Sequence, residues 1–337
     1  MMVSGTVFYR LVLVTLALTF CVVVLGAYVR LSHAGLGCPD WPGCYGHLGI
    51  PQETLQIAKA NSTYPERPVE VDKAWKEMIH RYFAGSLGVL ILGLAVLAWW
   101  RRQEPGQQVV LPLLLLGLVI FQALLGMWTV TLLLKPAIVV AHLLGGLATL
   151  ALLGWLLLRQ GNHWHATHQA EDRSLRPWAL LGLVVVVVQV ALGGWTSANY
   201  AALACPDFPT CQAHWWPPMD FKEAFILWRG VGISYEGGLL DNDARVTIHM
   251  MHRLGAVVVF CYLGWLAWRI VTAARSSVLQ GIGLVMVLLL VTQVSLGTAN
   301  VVFNLPLPVA VAHNGVAALL ILALVALNHA LSPKEAV

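Results

Sequence analysis

Residues 109–131 read VVLPLLLLGLVIFQALLGMWTVT and contain no Asp, Glu, Lys or Arg. At a rise of about 1.5 Å per residue, a helix of this length crosses the roughly 30 Å hydrocarbon core of a bilayer. The whole chain has the same character, because 58% of its 337 residues are hydrophobic and only 11% are charged. A typical soluble domain has about 25% charged residues. This composition excludes the soluble, fibrous and disordered classes and indicates a membrane protein.

Seven more apolar stretches of similar length flank this one. The eight predicted spans are 7–29, 79–100, 109–131, 136–158, 178–198, 247–270, 278–301 and 309–330. We therefore predict an all-α polytopic membrane protein. The first stretch is too long for a signal peptide and lacks a small-residue cleavage site, so we expect it to remain as a span.

The basic residues predict the orientation of these spans. One side of the predicted membrane topology carries nine of them: Arg10, Arg101, Arg102, Arg159, Arg173, Arg176, Arg269, Arg275 and Lys334. The short connections on the opposite side, 132–135 and 302–308, contain only Lys135. Because basic loops stay in the cytoplasm, both termini are predicted to be cytoplasmic, with the long loops 30–78 and 199–246 outside. The formal charge of +4 gives no indication of nucleic-acid binding.

The opening stretch also belongs to an internal repeat. Its motif at 122–126, QALLG, returns as QVSLG at 293–297 and as QVALG at 189–193, and we interpret these motifs as helix-packing sites. The loop sequence CPDWPGC at 38–44 recurs as CPDFPTC at 205–211. At near-constant offsets, His80-Arg81 matches His252-Arg253, His142 matches His313, and Gly26 matches Gly193.

These matches divide the chain into two four-span halves, 1–160 and 175–331. Each half has an even number of spans, so both begin on the same side of the membrane. The predicted architecture is two four-helix bundles in parallel relation. The first half carries external loop 30–78 and the second carries external loop 199–246.

Four histidines occupy equivalent places near the outer ends of spans. His80 and His142 lie in the first half, and His252 and His313 lie in the second. Two imidazoles at similar depth on different helices suit bis-histidine haem ligation in a bundle, with small residues giving the porphyrin room. The nearby glycines on the same helices are Gly85, Gly88, Gly145, Gly146, Gly255 and Gly315. The alternative is that these histidines form interhelical hydrogen bonds.

The residues beside the histidines suggest further roles. Arg81 and Arg253 have the geometry to pair with haem propionates, or else they are interfacial arginines whose heads reach water. Glu77 precedes His80 by three residues, whereas His249 precedes His252. Residues three apart share a helix face, so Glu77 is predicted to point towards the ligand of His80 and to act there in proton transfer or charge stabilisation. The alternative is a solvated carboxylate at a helix start.

Two cysteine pairs lie in the predicted external loops: Cys38 with Cys44, and Cys205 with Cys211. An oxidising exterior favours structural disulfides, and redox-active thiols are the alternative. Cys21 and Cys261 lie within spans and are expected to be packing residues. The cluster His163, His165 and His168 is interpreted as a solvated cytoplasmic loop.

In combination, these motifs resemble the haem A synthase family over about residues 5–330. The resemblance rests on Glu77-Met-Ile-His80-Arg81, His142, His252-Arg253, His313 and the two Cys-Pro-Asp-x-Pro-x-Cys loops. It implies an oxidoreductase that converts the C8 methyl of haem O to a formyl group, giving haem A for cytochrome oxidase. It also implies a bacterial cytoplasmic membrane location, with a haem O synthase, oxidase assembly factors and an unidentified electron acceptor as partners.

Residue roles follow from the same resemblance. His252 and His313 would ligate haem b, His80 and His142 would hold the substrate haem O, and Glu77 would be the catalytic group. Iron with two histidine ligands has no open position for dioxygen. Either a histidine leaves the iron, or the methyl is oxidised by electron removal with water as the oxygen source, and we favour the second route. The competing functions are a two-haem transmembrane electron-transfer cytochrome and a haem transporter or chaperone.

Overall fold

The computed structural model describes residues 2–161, 172 and 174–332. The regular structure in these ranges is helical, apart from two isolated β-bridges. The ten helices are α1 (Met2–Leu31), α2 (Thr54–Thr63), α3 (Val71–Trp100), α4 (Val110–Thr131), α5 (Pro136–Gly161), α6 (Arg176–Ala198), α7 (Phe221–Ala224), α8 (Asn242–Ala273), α9 (Ser277–Val302) and α10 (Leu307–Ala330). The predicted cluster at His163, His165 and His168 lies outside the described residues, as do Arg173 and Lys334 of the orientation argument.

Eight of these helices are long and apolar enough to cross a membrane, which confirms the predicted number of spans. The predicted starts of two spans are wrong, because α3 begins at Val71 and α8 at Asn242. The first turns of α3 are polar and bear an ion pair of 2.5 Å between Lys76 and Asp72. Hydropathy therefore misses the part of each helix that extends beyond the apolar segment.

Within each sequence half, the four long helices contact one another in a closed ring. In the first half α1 packs on α3, α3 on α4, α4 on α5 and α5 on α1. In the second half the same order connects α6, α8, α9 and α10. As a consequence, α3 and α5 stand diagonally opposite in one ring, and α8 and α10 stand diagonally opposite in the other.

The two rings meet through their first and last helices. Contacts join α1 to α10, α5 to α10 and α5 to α6. Near the ends of α1 and α6, two contacts join a residue to its own counterpart in the repeat. The Arg30 guanidinium donates to the Ser197 carbonyl at 2.6 Å, and the His33 and Tyr200 rings stack at 5.7 Å. The local geometry therefore fits a twofold relation between the rings.

Apolar side chains fill the end of each ring that lies away from the cysteine loops. In the first half this core comprises Phe8, Val12, Leu87, Ile91, Leu94, Ala98, Leu115, Leu153 and Leu156. The core of the second half includes Leu263, Leu266, Ile282, Met286 and Leu324. Burial of this apolar surface closes one end of each ring. The few buried polar side chains there include Asn328, which donates to the carbonyls of Ala179 and Leu324. In contrast to the expectation of packing, Cys21 and Cys261 are exposed on the helix surfaces.

A segment of the second loop crosses over the first half. We call residues 225–238 the strap. The Tyr235 amide donates to the Leu133 carbonyl at 3.0 Å, and the Tyr235 side chain packs with Leu36, Val130 and Leu134. Lys135, which is 1% exposed, lies 3.3 Å from the Trp228 ring centroid and donates to the Gly230 carbonyl. The strap is therefore held by a buried ammonium of the first half.

Lys135→Met should loosen the strap, because it keeps the apolar stem and removes the charged donor. A hydrogen bond to a charged group contributes about 1.5–3 kcal/mol. We therefore expect trypsin to cleave after Arg229 roughly tenfold faster or more in purified protein. The measurement is the rate of appearance of the Arg229-ended fragment by mass spectrometry.

Lys59→Met is the matched control for this experiment, because Lys59 is exposed on α2. It should leave cleavage after Arg229 unchanged. Equal rates in Lys135→Met and the parent protein would contradict a role for Lys135 in holding the strap.

Candidate functional site

Each of the four predicted histidines is seated against a glycine of the preceding span. A Cβ added to Gly26 would lie 3.0 Å from Cε1 of His80, and one on Gly193 would lie 3.0 Å from Cε1 of His252. The corresponding distances are 3.5 Å from Gly126 to His142 and 3.2 Å from Gly297 to His313. A methyl group at 3.0–3.2 Å would require the imidazole to shift slightly, whereas 3.5 Å is an ordinary van der Waals contact. Gly26, Gly193 and Gly297 therefore restrict where the rings of His80, His252 and His313 sit.

The histidine pairs come from the diagonal helices of each ring. His80 on α3 stands across the first ring from His142 on α5, and the two imidazoles are close enough to interact electrostatically. His252 on α8 and His313 on α10 have the same relation in the second ring. Among the described residues, no group of three or more His, Cys, Asp or Glu forms a metal site. The geometry therefore supports two separate imidazole pairs.

The glycines that were predicted to leave space for a porphyrin differ from one another in their surroundings. Space lies open beside Gly85 and Gly88, whereas Gly145 and Gly255 pack directly against the side chains of Gln122 and Gln189. Three of the four glycines that touch the imidazoles, Gly126, Gly193 and Gly297, come from the QxxLG motifs on neighbouring helices, whereas Gly26 ends the sequence VVVLG. The sequence offers a signal for them, since these motifs recur in three spans, but we interpreted it as helix packing alone.

Glutamines of two of these motifs contact histidines. Gln189 Nε2 lies 3.0 Å from Nδ1 of His252 and donates to the His252 carbonyl at 2.9 Å. Gln293 Nε2 lies 3.2 Å from Nε2 of His313. The motifs therefore serve two purposes, because the glycine makes space for the ring and the glutamine contacts it.

Both cysteine pairs form disulfides, with Cα–Cα distances of 4.8 Å for Cys38–Cys44 and 4.6 Å for Cys205–Cys211. The loops repeat each other in detail, including cis peptide bonds before Pro42 and Pro209. All four cysteines are fully buried. The sulfur atoms are thus enclosed by the loops, which agrees with a structural role and leaves redox activity of the thiols as an untested prediction.

An aspartate closes each disulfide loop. Asp40 accepts from the amides of Tyr45 and Gly46, and Asp207 accepts from those of Gln212 and Ala213.

The Thr210 hydroxyl also donates to Asp207 and holds the pKa of that carboxyl below its usual range. Because its pKa is lowered, Asp207 stays ionised as the pH falls. The stability that its hydrogen bonds contribute is lost only when the pH falls through this lowered pKa.

The two arginines that follow the histidines bind these loops. Arg253 donates to the carbonyls of Cys205 at 3.2 Å, Asp207 at 2.8 Å and Thr210 at 2.8 Å. Arg81 donates in the same way to the carbonyls of Asp40, Pro42 and Gly43. The predicted contact of Arg81 and Arg253 with haem propionates stays a prediction. The structure adds a role that sequence analysis missed, since backbone carbonyl acceptors have no side-chain signature.

Glu77 is buried, with 5% of its surface exposed, so the alternative of a solvated carboxylate is wrong. Its Oε2 accepts from the Cys38 amide at 2.9 Å, and its Oε1 pairs with Arg81 at 2.5 Å. In the second half, Nδ1 of the buried His249 lies 3.0 Å from the Ala201 carbonyl. The two otherwise repeated sites therefore differ by a fixed negative charge in the first half.

The residues present fit a haem. Nδ1 of His80, of His142 and of His313 is buried with no hydrogen-bond partner among the described residues. Such an imidazole has unused polar capacity, which metal ligation together with a rearranged hydrogen bond would satisfy. The fold and the described residues together define a polytopic helical membrane protein with two pairs of histidines close to disulfide loops.

Comparisons with known proteins agree with this class. Residues 9–325 match the family model described as cytochrome oxidase assembly protein. A heme A synthase of Shewanella oneidensis is 46% identical over 322 residues, covering 96% of each chain. Heme A synthases of Mesorhizobium japonicum and Agrobacterium fabrum are 30% and 27% identical, over 90% and 94% of this chain and 85% and 87% of theirs. The chain belongs to the haem A synthase family of cytochrome oxidase assembly proteins.

Arg253→Gln should release the second disulfide loop, because a shortened neutral side chain loses the charged donor to three carbonyls. We expect Cys205–Cys211 to be reduced at least tenfold faster by a phosphine in purified protein, because each such hydrogen bond contributes about 1.5–3 kcal/mol. Maleimide labelling followed by peptide mass spectrometry measures the rate for each pair separately.

The Cys38–Cys44 pair is an internal control, because Arg81 still holds its loop. Arg229→Gln is the matched variant, since Arg229 lies in the same external loop and donates to the carbonyl and carboxylate of Glu223. If both disulfides of Arg253→Gln reacted at the parent rate, the arginine clamp would have no part in protecting them.

Proposed function

We propose that this protein is a haem A synthase, an oxidoreductase that converts the C8 methyl of haem O to the formyl group of haem A. The observation that carries the proposal is the unequal pair Glu77 and His249, set in otherwise equivalent places beside two histidine pairs. A buried carboxylate beside only one of two similar sites suits chemistry in that site. The near-full-length relation to proteins named heme A synthase supports the same reaction.

The proposed division of labour follows the two halves, 1–160 and 175–331. His252 and His313 would hold a resident haem b, which supplies one-electron redox chemistry when bound. His80 and His142 would hold the substrate haem O. The ring of helix contacts within each half supports this division.

Glu77 is the proposed catalytic residue. Its two oxygens are held by the Cys38 amide and the Arg81 guanidinium, so the carboxylate cannot swing away from its position. A fixed negative charge in a water-poor site stabilises positive charge that develops on a neighbouring substrate and can accept a proton from it. Arg81 also ties the first disulfide loop to α3, which covers the carboxylate and limits the access of water.

The surroundings of the protein belong to the proposal as well. We place it as a multi-pass protein of the bacterial cytoplasmic membrane, in contact with lipid, with both termini cytoplasmic and both cysteine loops outside. The distribution of basic residues supports this orientation. The reaction requires a haem O synthase upstream, an electron acceptor, and oxidase assembly factors that receive the product.

Glu77→Gln should abolish haem A formation while haem remains bound, because the amide keeps the size but loses the charge. The test is chromatography of haems extracted from membranes that co-express a haem O source. Glu70→Gln is the matched control, since Glu70 lies exposed before α3 and pairs only with Lys73 at the surface. Haem A at parent levels in Glu77→Gln would overturn the assigned role.

The same chromatography separates the competing functions. A two-haem electron-transfer cytochrome predicts two stoichiometric redox-active haem b groups and unchanged haem O. A haem transporter or chaperone predicts exchangeable haem without dependence on Glu77. Conversion of haem O to haem A by the parent protein excludes both.

The proposed oxygen source is tested by isotope labelling. With two histidines on the substrate iron, we expect water to supply the oxygen after electron removal from the methyl group. A single turnover in ¹⁸O-labelled water should therefore introduce label into the product, detected by mass spectrometry before the formyl oxygen exchanges with solvent. Label that comes only from dioxygen would refute this route.

A further inference from the structure

The two halves treat their histidines differently. In the second half each imidazole lies beside a glutamine amide, with His252 next to Gln189 and His313 next to Gln293. Both glutamines come from QxxLG motifs, four residues before the glycine that seats the ring. The amide and the glycine therefore fix the position of the imidazole together.

In the described part of the first half, no glutamine side chain is paired with His80 or His142, although the backbone of Gln122 contacts His142. The repeat places Val22 where the second half has Gln189, so α1 offers no amide to His80. Gln122 is present on α4, but its side chain packs against Gly145, and its Nε2 is buried with no partner among the described residues. Nδ1 of His80 and of His142 is likewise buried without a partner among the described residues. Nδ1 of His313 shares this state, because Gln293 faces the other ring nitrogen, Nε2, so the contrast between the halves is clearest for His80 and His252.

We propose that Gln189 and Gln293 are positioning residues that make the second half a retentive haem site, and that their absence or displacement leaves the first half exchangeable. This inference rests on the proposed function, which assigns a resident haem to His252 and His313 and a substrate haem to His80 and His142. A cofactor must stay through many turnovers, whereas a substrate must enter and leave in each one.

The physical basis is the second nitrogen of a ligating imidazole. A histidine that binds metal through one ring nitrogen donates the N–H of the other to a neighbouring acceptor, which fixes the ring and raises its basicity. Oε1 of Gln189 and Oε1 of Gln293 are both buried without a partner among the described residues. Rotation of the amide about its last bond presents this oxygen to the ring. In Gln189 the rotation exchanges the bond that Nε2 donates to the His252 carbonyl for the bond from the ring N–H.

The absence of such a partner has the opposite effect in the first half. An imidazole without a hydrogen-bonded second nitrogen keeps rotational freedom and binds metal less tightly. Loss of an outer partner of this kind typically weakens metal binding about 10–100-fold. Gln189 and Gln293 would thus cause the second half to retain its haem while the first half exchanges its own, although neither glutamine needs to contact the haem.

Gln189→Leu and Gln293→Leu test the proposal in the purified full-length protein. We expect the second-half haem to dissociate to excess apomyoglobin about tenfold faster in each variant. We also expect the low-spin electron paramagnetic resonance signal to broaden or shift, because the imidazole planes are no longer fixed. The midpoint potential of this haem should rise, since a less basic ligand stabilises the oxidised iron less.

Gln189→Glu should shift the midpoint potential of the second-half haem in the opposite direction from Gln189→Leu. It keeps an acceptor oxygen beside His252 and strengthens it, so the midpoint potential should fall below that of the parent protein. A glutamine with a purely structural role would give altered stability in both variants and no such reversal in potential. The matched control is Gln122→Leu, which should leave the spectrum, potential and retention of the second-half haem unchanged.

Val22→Gln makes the reverse test in the first half. It places an amide at the repeat position of Gln189, and we expect exchange of added haem O from the first half to become several-fold slower. Unchanged haem exchange in Val22→Gln, with the variant folded and haem b retained, would count against the proposal.

The outcomes distinguish this inference from the proposed function. If the parent protein binds no haem that is lost on His252→Ala or His313→Ala, the assignment of the resident haem fails. If that haem is present but the glutamine variants keep the parent dissociation rate, resonance signal and potential, the assignment stands and the positioning role is wrong.

Discussion

An imidazole ring fills the space that a glycine leaves open on the neighbouring helix, and the protein makes this contact four times. Each contact fixes two things at once, namely the separation of two helices and the depth of a histidine in the membrane. A larger residue at Gly26 or Gly193 would move the ring of His80 or His252, because the space is only about as wide as the ring. The position of each histidine pair therefore depends on glycines, which have no side chain to occupy the space of the ring.

The rest of the site is organised around the loops that cover these rings. Arg81 and Arg253 follow directly after histidines and hold the carbonyls of the two disulfide loops. Helix and loop are thereby joined at the level of the imidazoles. Glu77 uses the same connection, because its carboxylate binds both Arg81 and the first amide of the disulfide ring. The difference between the halves is thus chemical, whereas the scaffold around it is repeated.

The sequence was sufficient for the number of spans, the repeat, the four histidines and the disulfide pairs. These features depend on apolar length, on side-chain identity and on constant offsets, all of which a single sequence contains. The starts of α3 and α8 were missed, because Asp72 in α3 and Asp243 in α8 make the first turns polar while the backbone is already helical. Hydropathy reports the solvent around a helix and gives no information on where the helix begins.

The sequence also did not predict the contacts between different helices. Gly26 was recognised as a repeated position, but its role as the seat of His80 depends on the packing of α1 against α3. The partners of Gln189 and Arg253 were missed for the same reason, since the distances along the chain are large and one partner is often a backbone carbonyl. The burial of Glu77 likewise depends on a loop that folds back onto α3.

The stacking of His33 on Tyr200 has a consequence for the origin of the chain. These two residues occupy the same position in the two repeats, and so do Arg30 and Ser197. Residues that meet their own counterparts are characteristic of two identical subunits around a twofold axis. A four-helix ancestor that paired with itself would have had two identical sites and no means of changing one alone. Fusion of its gene with a second copy would have allowed each site to accumulate its own substitutions, which is the condition for the proposed division of roles between the halves.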